Sequence, residues 1–180
     1  MRQDIAEVLV DEETLKGIVA RLGKQITEEY AGKNLCMVCV LKGSLVFMGD
    51  LLKHVDLPMI TDVIKVSSYG SGTTSSGEVK ILYDLSKKDL TGMDILLIED
   101  IVDSGKTMEK LVPMLRERGA ASVRVCTLLN KKSRRVVNFQ ADYVGIEIPD
   151  AFVVGYGLDY DEKYRNLPFV GVLKPSVYGG

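Results

Sequence analysis

Three carboxylates stand immediately before a short Ser-Gly-Lys-Thr stretch: Glu99, Asp100 and Asp103 precede Ser104, Gly105, Lys106 and Thr107. Residue types in this order are suited to two kinds of chemistry. The back half, Ser104 to Thr107, offers backbone amides, hydroxyls and the start of a helix, which together suit one phosphate monoester. The front half offers carboxylates for sugar hydroxyls, a divalent cation and proton transfer. A ligand with a phosphate at one end and a polyhydroxylated, charge-developing centre at the other satisfies both halves, and a 5-phosphoribosyl group is such a ligand. Gly105-Lys106-Thr107 also matches the end of a P-loop. However, the first glycine of that motif would fall at Asp100, and a P-loop cradles phosphate with bare backbone amides, so a P-loop kinase is disfavoured.

These residues need a scaffold, and the flanking patterns supply one. Ile95 to Ile98 form an aliphatic run of the kind buried on both faces in parallel sheets. After Thr107, the apolar residues Met108, Leu111, Val112 and Leu115 recur at helical spacing. The unit is therefore strand, acidic loop, helix, and in open α/β sheets ligands bind at the carboxyl ends of such strands. Leu35 to Leu41 repeats the pattern, stopping at Lys42-Gly43-Ser44 before a second helix through Leu45, Leu51 and Leu52. Upstream, Asp11 caps a helix burying Leu15, Ile18, Val19, Leu22 and Ile26 and ending near Gly32. Further strands are expected at Asp62–Ser67, Ser122–Leu129 and Asp142–Ile148. Pro113 should kink or shorten the helix after Thr107.

The stretch Ser67–Gly77 has almost no apolar content, yet strand-like segments, Val63–Val66 and Val79–Tyr83, flank it. A long polar loop inside a compact domain reads as a lid. The run Lys131-Lys132-Ser133-Arg134-Arg135 reads as a solvated basic face, with Lys131 set apart by its place at a strand's carboxyl end. His54, the only histidine, is read as a structural residue on a helix remote from these loops.

The chain has 180 residues, 46% of them apolar and 27% charged, which fits one soluble domain spanning 1–180. A net charge of −2 lacks the electrostatic footprint of a nucleic-acid binder. No apolar run approaches the roughly 18 residues of a membrane helix, so no membrane is expected and the cytoplasm is the default location. Cys36 and Cys39 form a CxxC inside the Leu35–Leu41 strand, where they point to opposite faces; with Cys126 they read as buried structural thiols.

Leu97–Thr107 closely resembles the phosphoribosyl-pyrophosphate (PRPP) motif of type I phosphoribosyltransferases, and Glu99 to Thr107 resembles its hypoxanthine-guanine variant. Phe152-Val153-Val154-Gly155-Tyr156, followed by Leu158-Asp159-Tyr160 and Arg165, is similar to the nucleobase end of that family. The resemblance runs from about residue 5 to 174. It implies a Rossmann-like α/β fold, with a central, mostly parallel sheet flanked by helices and a small hood built from the N- and C-terminal segments. It further implies purine salvage: hypoxanthine or guanine and PRPP give IMP or GMP and pyrophosphate, with Mg²⁺ as cofactor.

Family roles then fall on particular residues. Glu99 and Asp100 would hold ribose hydroxyls and Mg²⁺, and Asp103 would exchange the purine N7 proton. Ser104, Gly105, Lys106 and Thr107 would take the 5′-phosphate. Lys42, Gly43 and Arg165 would hold pyrophosphate, with the Leu41–Lys42 peptide sometimes cis in the family. Lys131, Phe152, Val153 and Asp159 fall at the purine end, Asp159 also serving a second Mg²⁺. Ser68 and Tyr69 match the family's lid. Relatives commonly form dimers or tetramers. A xanthine-preferring or pyrimidine-type transferase, or a non-catalytic nucleotide- or RNA-binding regulator on the same fold, are the alternatives. The regulator calls for a basic face that the net charge argues against, and Lys131 and Phe152 favour a 6-oxopurine over adenine or a pyrimidine.

Overall fold

The computed structural model describes residues 1–68 and 79–179. Its elements are β1 (Ile5–Val10), α1 (Glu12–Glu29), β2 (Leu35–Leu41), α2 (Leu45–Leu52), β3 (Ile60–Ser68), β4 (Val79–Tyr83), β5 (Asp94–Val102), α3 (Lys106–Glu117), β6 (Ser122–Asn130), β7 (Tyr143–Glu147), β8 (Val153–Val154), β9 (Val170–Leu173) and α4 (Pro175–Tyr178). Of the lid expected over Ser67–Gly77, residues 69–77 lie outside the described residues. Ser67 and Ser68 belong to β3, whose last pair is Ser68 with Val79 of β4.

The central sheet has the order β4-β3-β2-β5-β6-β7. All neighbours are parallel except β3 and β4. Strand β2 shows why the sequence specifies a doubly covered sheet, because its side chains alternate between two apolar layers. Met37 and Cys39 pack with Leu15, Leu22 and Ile26 of α1 and Phe47 and Leu51 of α2. Cys36, Val38 and Val40 pack with Met108, Leu111 and Leu115 of α3. The thiols therefore sit in opposite layers, and burial pushes that of Cys36 up to about 11. Asp11 caps α1 through Oδ1, which accepts the Thr14 amide at 2.8 Å, a contact worth about 1 kcal/mol. Pro113 withholds a donor from the carbonyl of Glu109, yet α3 continues to Glu117.

A second, three-stranded antiparallel sheet has the order β1-β9-β8. It joins the two ends of the described chain and closes on Val154, Leu167, Phe169 and Leu173. The hydrophobic alternation in Ile5–Val10 is weak, so sequence reading found only the helix that follows it.

Candidate active site

The chain leaves β2 toward β3 on one side and β5 toward β6 on the other, so the order of the central sheet reverses between β2 and β5. Loops leaving the carboxyl ends of the two strands at such a switch point border a crevice. Here they touch. A Cβ built on Gly43 would lie 1.6 Å from Oδ2 of Asp100. A cleft of about 230 Å³ lies along this contact, lined by Lys42, Gly43, Glu99, Asp100, Thr107, Asp159 and Arg165 among others. The Leu41–Lys42 peptide is cis.

Glu99 is buried at the end of β5. Burial pushes its carboxyl well above the ordinary carboxylate range, and the adjacent Asp100 adds to the shift. Burial raises Asp100 as well. Two acids crowded in this way gain from a cation or from hydroxyl donors. Mg²⁺ keeps several waters and takes only one or two protein carboxylates beside substrate phosphates. Glu99 and Asp100 fit that requirement. Among the described residues no three metal-ligating side chains cluster, and Asp159 lies apart from the two acids, across the cleft.

The half expected to take phosphate includes Gly105, whose φ of +84° places it in the left-handed region as the residue before α3. With no side-chain cap there, the first-turn amides of α3 have no intrahelical acceptor and face the cleft end of the helix. The hydroxyl of Ser104 accepts only a long bond from the Lys106 amide, at 3.4 Å. Asp103 lies just before this turn, and its Oδ1 is buried without a hydrogen bond from the described residues.

The loop after β6 clamps this turn from outside. The Val136 amide donates to the Ser104 carbonyl at 3.1 Å. Arg135, expected on a solvated face, is half-buried. Its guanidinium donates to the carbonyl of Asp103 at 3.1 Å, the carbonyl of Val102 at 3.4 Å and Oδ1 of Asn130 at 2.6 Å, and also to the carbonyl of Phe139. A basic run hides such a residue, because one-letter charge does not reveal which member turns inward. Lys132 and Arg134 stay exposed and pair with Glu147 and Asp150. Lys131 is only 7% exposed. Its amide donates to Val102 at 3.0 Å, and its ammonium donates to the Ala151 carbonyl at 2.9 Å.

That bond brings Lys131 beside Phe152. The Phe152 ring is 40% exposed, with Tyr178 stacked on it at 4.7 Å and Tyr160 edge-on at 5.7 Å. Val153 is buried in β8.

Also on the wall of the cleft, Arg165 donates to the Gly157 carbonyl at 2.8 Å and pairs with Asp159 at 2.9 Å. Glu162, which sequence reading passed over, takes Lys42 at 2.9 Å and Arg165 at 3.2 Å on the same carboxylate oxygen. Nothing in the local pattern singles out this glutamate, since its partner Lys42 lies on a distant loop. His54 also departs from expectation. It lies in the turn just past α2 rather than on the helix, and it lines a second cleft, of about 550 Å³, whose wall also includes Arg165.

Residues 6–161 match the family model of the phosphoribosyl transferase domain. The chain is 53% identical over 178 residues to the hypoxanthine-guanine phosphoribosyltransferase of Bacillus subtilis, covering 99% of this chain and 98% of that protein. It is 50% identical, with the same coverage, to the protein of that name from Streptococcus thermophilus. Its structure matches the crystal structure of a hypoxanthine phosphoribosyltransferase from Staphylococcus aureus with a TM-score of 0.96 and 48% identity, over 100% of this chain and 97% of that one.

Proposed function

The chain belongs to the phosphoribosyltransferase family, and from that premise we propose that it transfers the 5-phosphoribosyl group of PRPP to hypoxanthine or guanine, forming IMP or GMP and releasing pyrophosphate. It is a purine-salvage enzyme of the pentosyltransferase class. The observation that carries the base assignment is the buried Lys131 ammonium, held at 2.9 Å by the carbonyl next to Phe152. A donor-only group in that position matches an exocyclic oxygen and not an amine.

Breaking the bond from C1 to pyrophosphate leaves an oxocarbenium-like ribose. Glu99 and Asp100 bind the ribose hydroxyls beside that charge. When bound there, Mg²⁺ supplies positive charge to the diphosphate oxygens. Asp103 takes the purine N7 proton on its buried Oδ1, which no described residue hydrogen-bonds. Ser104, Gly105, Lys106 and Thr107 hold the 5′-phosphate at the start of α3. Lys42, the Gly43 backbone and Arg165 bind pyrophosphate, with Asp159 at a second metal position. Phe152 stacks on the base, and the Val153 backbone meets its edge. The enzyme works in the cytoplasm as a homodimer or homotetramer. Among the described residues, no helix is long and apolar enough to cross a membrane.

The test is PRPP consumption measured in parallel with hypoxanthine, guanine, xanthine and adenine, with and without Mg²⁺. Turnover of the first two, dependent on the metal, is the expected result. Turnover of adenine at a comparable rate, or of xanthine alone, overturns the assignment.

A further inference from the structure

We propose that Glu162 sets the affinity of this site for pyrophosphate by competing for the cations that bind it, an inference that rests on Lys42 and Arg165 being the pyrophosphate ligands.

The turn that presents Glu162 is built for the purpose. Asp161 and Glu162 have φ values of 50° and 61°, a left-handed backbone that side chains other than glycine rarely adopt. The surroundings hold that strain. Tyr160 and Lys163 exchange backbone hydrogen bonds at 3.2 and 3.0 Å, and the Glu162 amide donates to Oδ2 of Asp159 at 2.9 Å. Strained positions of this kind cluster at ligand clamps. Here the turn sends one carboxylate oxygen between a lysine and an arginine that lie 2.9 and 3.2 Å from it.

The charge balance explains the consequence. Lys42 and Arg165 are offset by Glu162 and Asp159, so the four groups carry no net charge. Asp159 is buried deeper than Glu162, whose side chain is 63% exposed. A pyrophosphate reaching the two cations meets the Glu162 carboxylate at close range and must repel it or turn it outward. Exposed ion pairs of this type are weak, so the carboxylate exchanges with the polyanion rather than blocking it. Binding is thereby loosened, which favours release of the product. A nucleoside monophosphate, whose phosphate belongs at the start of α3, does not draw on these cations.

The test measures the dissociation constants of magnesium pyrophosphate and of a nucleoside 5′-monophosphate by calorimetry, for the whole chain and for Glu162→Gln, Glu162→Ala and Lys42→Ala. The expected result is pyrophosphate binding roughly three- to tenfold tighter in both Glu162 variants, with the monophosphate unchanged and Lys42→Ala weaker for pyrophosphate alone. Unchanged or weaker pyrophosphate binding in the Glu162 variants, beside a weakened Lys42→Ala, overturns the proposal and leaves the ligand assignment standing. Equal tightening for both anions overturns it in favour of a general charge effect. Wild-type pyrophosphate binding by Lys42→Ala overturns the ligand assignment itself.

Discussion

The Arg135 guanidinium donates from Nε to the backbone carbonyl of Asp103 at 3.1 Å, so a residue of the loop after β6 fixes the main chain beneath the proposed proton acceptor. Its remaining donors reach Val102, Asn130 and Phe139. The planar fork is what allows one side chain to serve several carbonyls, and a lysine cannot reproduce it. Arg135→Ala and Arg135→Lys should both lower kcat by roughly 10–100-fold, the cost of misplacing a reacting group by about an ångström. The KM for PRPP should move much less. Added guanidinium ion should restore part of the rate in Arg135→Ala only. A kcat within twofold of wild type in both variants defeats this role.

Gly43 and Asp100 give a sharper steric case. A methyl group on Gly43 would fall inside the Asp100 carboxylate, and a loop pinned on both sides cannot absorb that overlap cheaply. Gly43→Ala should displace Asp100 and reduce kcat/KM for PRPP by more than about 10²-fold, and the melting temperature should fall as well, because the clash lies between the two central strands of the sheet. Near-normal kcat/KM would show that the loops are free to separate.

How much of this was legible beforehand varies with the length scale of the signal. The aliphatic run Ile95 to Ile98 and the spacing of Met108, Leu111 and Leu115 are local, and they place β5 and α3 correctly. The strand runs on to Val102, however, so Glu99 and Asp100, expected in a loop, stand inside β5 and only Asp103 to Gly105 form the turn before α3. Arg135 and Glu162 are different. Each acts on a partner brought near by sheet topology, Asp103 and Lys42 respectively, and no local periodicity encodes a contact across 32 or 120 residues. Strand β1 is hidden for a related reason. Its pairing partner is β9 at the far end of the chain, and of its own side chains only Val10 is buried, so the strand carries little alternation to read.

Glu99 carries a testable cost in stability. Its folded pKa is raised by burial, so between the ordinary carboxylate range and that raised value the folded chain holds a proton that the unfolded chain has lost. Stability contributed by this group is therefore full at low pH and falls as pH rises. Glu99→Gln should raise the melting temperature at pH 7.5. The gain should shrink as the pH is lowered toward 5, and activity should be lost at the same time. A variant less stable than wild type at neutral pH contradicts the sign.

Asp103→Asn keeps the size and hydrogen-bonding shape of the side chain but removes its capacity to accept a proton. PRPP should bind as in the wild type, while turnover falls by roughly 10²–10⁴-fold. Calorimetry and steady-state rates measured on the same preparation separate the two. Normal turnover rules out a proton transfer through Asp103.

Base choice turns on Lys131. Its ammonium has no acceptor capacity, it is buried, and it is anchored at 2.9 Å on the Ala151 carbonyl. In the proposed role it would meet the O6 of hypoxanthine or guanine donor to acceptor. Against the 6-amino group of adenine it stands donor to donor, which leaves buried polar groups unpaired. Sites built around such a bond reject the mismatched analogue by roughly 10⁴–10⁵. Hypoxanthine and guanine should therefore react readily and adenine negligibly. Lys131→Ala should lose most activity on both oxopurines, and its preference for hypoxanthine over adenine should narrow. Lys132 is the natural control, being exposed and paired with Glu147, so Lys132→Ala should keep both the rate and the ratio. The decisive measurement is kcat/KM for hypoxanthine and adenine in the two variants. If Lys131→Ala retained the wild-type ratio, selection against adenine would have to arise from the backbone around Val153 and not from the ammonium.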